Sequence, residues 1–421
     1  MASDLLGWGA IGMGTPILTD KRRGKLRVIP IKTELEFFGM QRAWNELLSK
    51  SRADTVFLTW EWLTAWWRAY GKNGELYILR VIDDDETIGL APFYRKTISK
   101  YGFSFQVLAL IGDGSADSDY LDWISEQGDE EIVARSLINF LVANTRFWDI
   151  ILLNEIPETS LHHSFLRNLA QDKGWYYAHT IVPCAYVNLP SDWETYLRSL
   201  KPRMRTKVRS LMKHFEQIPN VRFDLCTHPD QIESRLQSLF ALHTDRWRKV
   251  GEQGVFGSEA KQQFYLNMSK LFLSQGWLRF YSLAVDCNYL AHQFCFQYKQ
   301  TIFLLQEGFD PKWDAHAPGN VLRAHVLRDS IQRDLLIYDF LAGVTPHKLS
   351  WGCDVKRSLR LSVALPKFKT KIFFGLPLAV QWTKEKLKTI LPETVLEWAI
   401  SLKQHVMPKR KRHLGPHVGN E

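Results

Sequence analysis

Three polar residues interrupt apolar strand patterns in this 421-residue chain, and a glycine-bearing turn lies between them. Tyr338 and Asp339 fall inside LIYDFLAG, where a carboxylate is costly unless paired. Asp339 is therefore either held by backbone hydrogen bonds or is a site residue with a perturbed pKa. Glu307 ends the strand pattern TIFLLQEGFD, whose alternation puts Phe303, Leu305 and Glu307 on one face and Leu304 and Gln306 on the other. Between the two strands runs His316-Ala-Pro-Gly-Asn320. Pro318 suits the first position of a helix, where its missing N–H costs nothing, and Gly319 lets a ligand approach the backbone closely. The N–H groups of Gly319, Asn320 and Val321 then face the strand end, an arrangement able to bind a pyrophosphate or a phosphopantetheine phosphate. The plainer alternative is a helix start and nothing more. His316 in the same turn is placed to contact phosphate or to act as a base.

A second group of candidates is basic. From Thr195 to Phe215 there are seven Lys/Arg and no acid, and Leu197, Leu200, Met204, Val208, Leu211 and Phe215 recur at helical steps. One face packs, and Arg203, Arg205, Lys207 and Arg209 form a positive stripe beside it. The stripe is either a solvated face or a guide for an anionic substrate. His243 and Trp247 share a helix face four residues apart. No Ser/His/Asp set, HExxH or EF-hand pattern occurs, so no metal is expected. Cys184, Cys226, Cys287, Cys295 and Cys353 include no CxxC, which indicates neither zinc nor a disulfide framework.

The elements that position these residues alternate between helix and strand. Helices over 35–70 precede a hairpin of the strands ELYILRVID and TIGLAPFYRKT, further strands, a helix over EEIVARSLINFLVANT and a buried strand WDIILLNEI. Thr59 is expected to cap the helix WEWLTAWWRAY, with Gly71 as its stop. The second half repeats the order, beginning with a long helix over DWETYLRSLKPRMRTKVRSLMKHFEQ. Two related α/β lobes follow: a leader over 1–30, a lobe over 31–190, a second lobe over 191–361 and a basic amphipathic tail over 362–421. The tail carries eleven Lys/Arg against four Glu, most of the chain's net charge of +9. DNA binding by the body is thus not expected. No stretch approaches the roughly 20 apolar residues of a membrane span.

The ordered set FLTWEWLTAWWRAYG (57–71), DSDYLDW (117–123), the basic run at 203–213, HTDRWRKVGEQGVF (243–256), EGFDPKWDAHAPGNVL (307–322) and YDFLAGVTPHKLSWG (338–352) resembles the GNAT superfamily. More narrowly it is similar to CelD-type acyltransferases of cellulose and exopolysaccharide synthesis, and to the Fem aminoacyltransferases. The resemblance implies a mixed α/β (α+β) fold of tandem GNAT-like lobes, each a largely antiparallel sheet flanked by helices. It implies acetyl-CoA or another acyl-CoA as donor, and an amine or hydroxyl of a saccharide or its precursor as acceptor. The strand ending at Glu307 would part from the next, giving Glu307 the role of general base. Lys348 and Trp351 match the family's Lys and aromatic after the last strand, and the helix bearing His243 and Trp247 would end beside the cleft. The loop at His316–Asn320 departs from the usual Arg/Gln-x-x-Gly-x-Gly/Ala. A Fem-like aminoacyl-tRNA-dependent transferase and a non-catalytic subunit of a polysaccharide-synthesis assembly are the alternatives. A cytoplasmic protein is expected, with the tail as a means of peripheral attachment to the inner face of the membrane.

Overall fold

The computed structural model describes residues 25–249 and 254–375, so most of the leader and the tail beyond residue 375 lie outside the described residues. An eleven-stranded mixed sheet runs through both halves of the chain. Its order is Val221–Leu225, Leu278–Val285, Asn288–Tyr298, Thr301–Phe309, Ile337–Ala342, Tyr176–Asn188, Asp354–Ala364, Ile150–Pro157, Phe103–Leu110, Phe93–Lys100 and Glu75–Leu76. A four-stranded sheet holds Leu26–Ile31, Ile78–Asp83, Glu86–Ala91 and Ile124–Ser125.

The two halves share one irregularity. In each, two parallel strands pair over only three residues and then part: Val107–Ala109 with Ile150–Leu152, and Thr301–Phe303 with Ile337–Asp339. Beyond each divergence the second strand bulges at a left-handed residue, Glu155 at φ 60° and Leu341 at φ 61°. The repetition of element order in the sequence has this geometric counterpart.

Aromatic side chains join the halves. Trp60–Tyr70 starts as expected at Thr59, whose hydroxyl accepts the Trp62 N–H at 3.3 Å, and ends at Gly71. It packs on Glu259–Ser274, with the Trp62 ring edge-on to Phe264 at 5.2 Å and to Phe57 at 4.8 Å. Phe57 in turn meets Phe296 and Phe303 of the second half at 5.8 and 5.7 Å. Such pairs add about 1 kcal/mol each beyond simple burial.

Three local expectations are corrected, and one strand is added. TIGLAPFYRKT is not one strand: Pro92 offers no N–H to a ladder, and the chain moves there from the smaller sheet to the larger. The long helix breaks into Trp193–Ser199 and Pro202–Glu216, because Lys201 before proline is held extended at ψ 142°. Asp354–Ala364 is a further strand, lying between Tyr176–Asn188 and Ile150–Pro157. Finally, the pairing of Asn288–Tyr298 with Thr301–Phe309 matches Phe294 to Gln306 but Cys295 to Leu304, leaving Leu305 as an extra residue. That bulge ends the simple alternation and turns Glu307 to the face of Ile302 and Leu304 rather than that of Phe303.

Candidate functional site

Where Thr301–Phe309 and Ile337–Ala342 part, a cleft of about 690 Å³ opens. Its walls come from three places: the diverging strands, the start of the helix Pro318–Gln332, and a loop of the first half carrying Asp117 and Asp119.

Of the residues singled out from sequence, Glu307, Gly319, Asn320 and Lys348 line this cleft. Glu307 forms an ion pair with Arg323, a fully buried residue of the crossover helix, and its Oε2 accepts the Gln293 amide at 3.1 Å. Burial alone would lower the guanidinium pKa, but Glu307 and Tyr338 outweigh it and raise it. Arg323 also lies over the rings of Phe340 and Trp351 at 5.2 and 5.4 Å. Trp351 is thus a buried support for the guanidinium. Lys348 Nζ donates to the carbonyls of Phe340 and Ala342 at 2.8 and 3.0 Å. Its pKa is lowered by burial, which Asp119, Glu307 and Asp339 only partly offset.

The helix start differs from expectation in its donors. Ala317 is left-handed, at φ 49°, and its carbonyl takes the Asn320 and Val321 N–H groups at 3.0 and 3.2 Å. Those two N–H groups are therefore used within the helix, and the Val321 side chain is buried in the core. Pro318 is buried at the first helical position. The Asn320 side chain instead engages His347, with Oδ1 3.0 Å from Nε2.

Tyr338 and Asp339 lie behind the cleft, fully buried. The Tyr338 hydroxyl donates to Gln293 Oε1 at 3.2 Å, and burial raises its pKa. The remaining candidates are elsewhere. His316 is exposed and stacks on His214, ring nitrogens 3.1 Å apart. His243 is buried against Phe256 and accepts the Trp247 indole N–H at 2.9 Å. Arg203, Arg205, Lys207 and Arg209 stand on the outer side of Pro202–Glu216, where Arg205 donates to the carbonyls of Arg198 and Leu200 and Arg209 pairs with Glu194.

Sequence reasoning missed the acidic wall. Asp117 Oδ1 accepts from Lys261 Nζ and the Tyr265 hydroxyl, both at 2.9 Å, while its Oδ2 has no hydrogen bond among the described residues. Asp119 Oδ2 accepts the Ala342 N–H at 3.3 Å, and its Oδ1 likewise has none. Both are buried, with exposures of 2% and 6%. Burial, then the charges of Glu155 and Asp339, push the Asp119 carboxyl up to about 8. The available signal was DSDYLDW itself, acids set among aromatic and aliphatic residues where solvated loop acids would lack such neighbours.

A cleft between parting parallel strands, closed by a crossover helix, is the geometry that the resemblance led one to expect. Residues 202–349 match the acetyltransferase (GNAT) domain family. With that match and this geometry, the protein is an acyltransferase of GNAT fold. The matched segment contains every cleft residue named above except Asp117 and Asp119, which the preceding half supplies. Among solved structures, FemX is similar with a TM-score of 0.56 at 10% identity, covering 83% of this chain and 99% of that one. A conserved protein of unknown function from Bacteroides thetaiotaomicron VPI-5482 is similar with a TM-score of 0.50 at 14% identity, covering 80% of this chain and 100% of that one. These likenesses concern the fold, and they extend it over both halves. Among curated proteins, none matches this chain in sequence. No group of side chains able to hold a metal occurs among the described residues, and no helix there is long and apolar enough to cross a membrane.

Proposed function

We propose that the cleft takes an acyl thioester, acetyl-CoA or another acyl-CoA, and passes the acyl group to an amine or hydroxyl of a saccharide or saccharide precursor. The parting of Thr301–Phe309 from Ile337–Ala342 at the start of the crossover helix carries this reading. Gly319 at that start, with Asn320 and His347 beside it, would hold the donor's phosphates. A Cβ added at Gly319 would meet the Phe309 side chain first, at 3.4 Å, an ordinary contact. Asp119 receives the acceptor's proton: its Oδ1 is free of hydrogen bonds among the described residues, and a carboxyl near 8 is well matched to the task. Glu307, held by Arg323, fixes the wall opposite.

The saccharide acceptor, a role in exopolysaccharide or cell-envelope synthesis, and a cytoplasmic place with the basic tail against the membrane follow from the CelD-type resemblance. Flotation with anionic liposomes, with and without residues 366–421, tests the membrane part. The use of the Asn320 and Val321 N–H groups by Ala317 favours a second reading, a carrier other than CoA such as a Fem-like aminoacyl-tRNA. Calorimetric titration with acetyl-CoA and CoA, beside a Gly319→Glu variant, separates them. Saturable binding that the variant abolishes is expected; no binding of either ligand to the unmutated chain sets the CoA reading aside.

A further inference from the structure

Asp119 is held from behind the cleft, at the bulge in Ile337–Ala342. Pairing of this strand with Tyr176–Asn188 slips between Asp339 and Ala342, and Leu341 is left-handed there. A slip of this kind strips backbone groups of their ladder partners. Side chains meet them instead. The Leu341 N–H donates to Asp339 Oδ1 at 2.8 Å and the Ala342 N–H to Asp119 Oδ2 at 3.3 Å, while Lys348 takes the carbonyls on either side of Leu341. Asp339 Oδ1 also accepts the hydroxyl of Tyr120, the residue after Asp119, at 3.0 Å. Its Oδ2 accepts Lys356 Nζ at 2.7 Å, and that ammonium lies 4.0 Å from the centre of the Tyr120 ring.

We propose that Asp339, Tyr120 and Lys356 are positioning residues that set the orientation and proton affinity of the Asp119 carboxyl. The proposal rests on reading Asp119 as the proton acceptor. Tyr120 fixes the loop, and Asp339 supplies a negative charge close behind Asp119. Lys356, joined to Asp339 across the sheet, is the ion-pair partner of that wholly buried carboxylate. The groups facing Asp119 from neighbouring elements are Glu155 and Asp339, which favour its protonated form, and Lys348 with the Ala342 N–H, which favour the carboxylate. Cys184, on the strand between Asp339 and Lys356, also senses the Asp119 charge. Glu155 is itself paired with Arg360, which makes Asp339 the charge whose strength the Lys356 contact directly governs.

The test uses the full chain labelled at aspartate carboxyl carbons and titrated by NMR, with the Asp119 signal identified by its absence in Asp119→Asn. Asp339→Asn is expected to lower the Asp119 midpoint by about one pH unit, the usual effect of removing a close like charge. Lys356→Met leaves the bulge contacts in place but removes the charge paired with Asp339, and should shift the midpoint. Lys356→Arg should restore it. An Asp119 midpoint that neither Asp339→Asn nor Lys356→Met moves overturns the proposal. A midpoint in the ordinary carboxylate range in the unmutated chain instead removes the proton-acceptor reading beneath it.

Discussion

At the scale of single residues, the cleft is a place where burial and charge work against each other. Asp119 has few polar neighbours to offset the loss of water, so its carboxyl titrates near 8 in the fold, against about 3.9 in an unfolded chain. The native state therefore binds the extra proton between these two values. Stability from this group is complete below the unfolded pKa and is lost as pH rises through about 8. Replacing Asp119 by Asn should flatten the decline in stability between about pH 5 and about pH 8, by up to roughly 1.4 kcal/mol per pH unit. Urea midpoints measured across that range decide it, and identical slopes for the two proteins would sink the idea. Asp119 was hard to single out from sequence, because its environment is made by Ala342 and Asp339, more than two hundred positions away. Arg323 was hidden for a similar reason. An Arg in an apolar helix stretch reads as a snorkelling surface residue until its partner Glu307 and the ring of Trp351 are seen around it.

Whole elements were far more legible. The strand–helix–strand unit from Thr301 to Ala342, with Pro318 opening the helix, could be read from period and punctuation alone, since those signals are local. The Leu305 bulge could not, because it is a relation between two strands and leaves no mark in either one. Its effect is large: Glu307 faces the crossover helix rather than the aromatic core. Asp354–Ala364 alternates plainly through Val355, Arg357, Leu359, Leu361 and Val363, but it follows the last element of the repeat and so has no place in a two-lobe scheme. The helix start offers a prediction at this scale. Ala317 adopts a left-handed conformation, which costs a residue with a side chain about 1 kcal/mol that glycine avoids. Ala317→Gly should therefore be neutral or stabilising by up to about 1 kcal/mol, whereas Ala317→Val should lower the thermal midpoint, branched side chains tolerating that region least. A glycine variant clearly less stable than the parent would show that the Ala317 methyl group is needed for packing.

Across the whole molecule, the two halves are held together by backbone as well as side chains. Tyr176–Asn188 pairs along its last residues with Ile337–Ala342 and over its length with Asp354–Ala364. Asp354–Ala364 then pairs on its other edge with Ile150–Pro157, so a strand from late in the chain completes the sheet of the first half. Without it, the edge of Ile150–Pro157 is unpaired and Leu359, Leu361 and Val363, all buried, no longer cover the core. The residues after it strengthen the same junction, Lys367 and Lys369 both reaching Asp149 of the first half. The aromatic cluster of Phe57, Trp62, Phe264 and Phe296 crosses the boundary as well. These links predict that the described body unfolds as one unit. Scanning calorimetry of the full chain should give a single transition for it, and residues 31–190 expressed alone should fail to give a cooperative melt. Two separable transitions, or a stable first half, would mean that the shared sheet contributes little, and the loop carrying Asp117 and Asp119 would then be free to leave the cleft. A single transition has a consequence for catalysis: the acidic wall is built into the fold, and any substitution that weakens the junction should reduce acyl transfer even when it lies far from the donor.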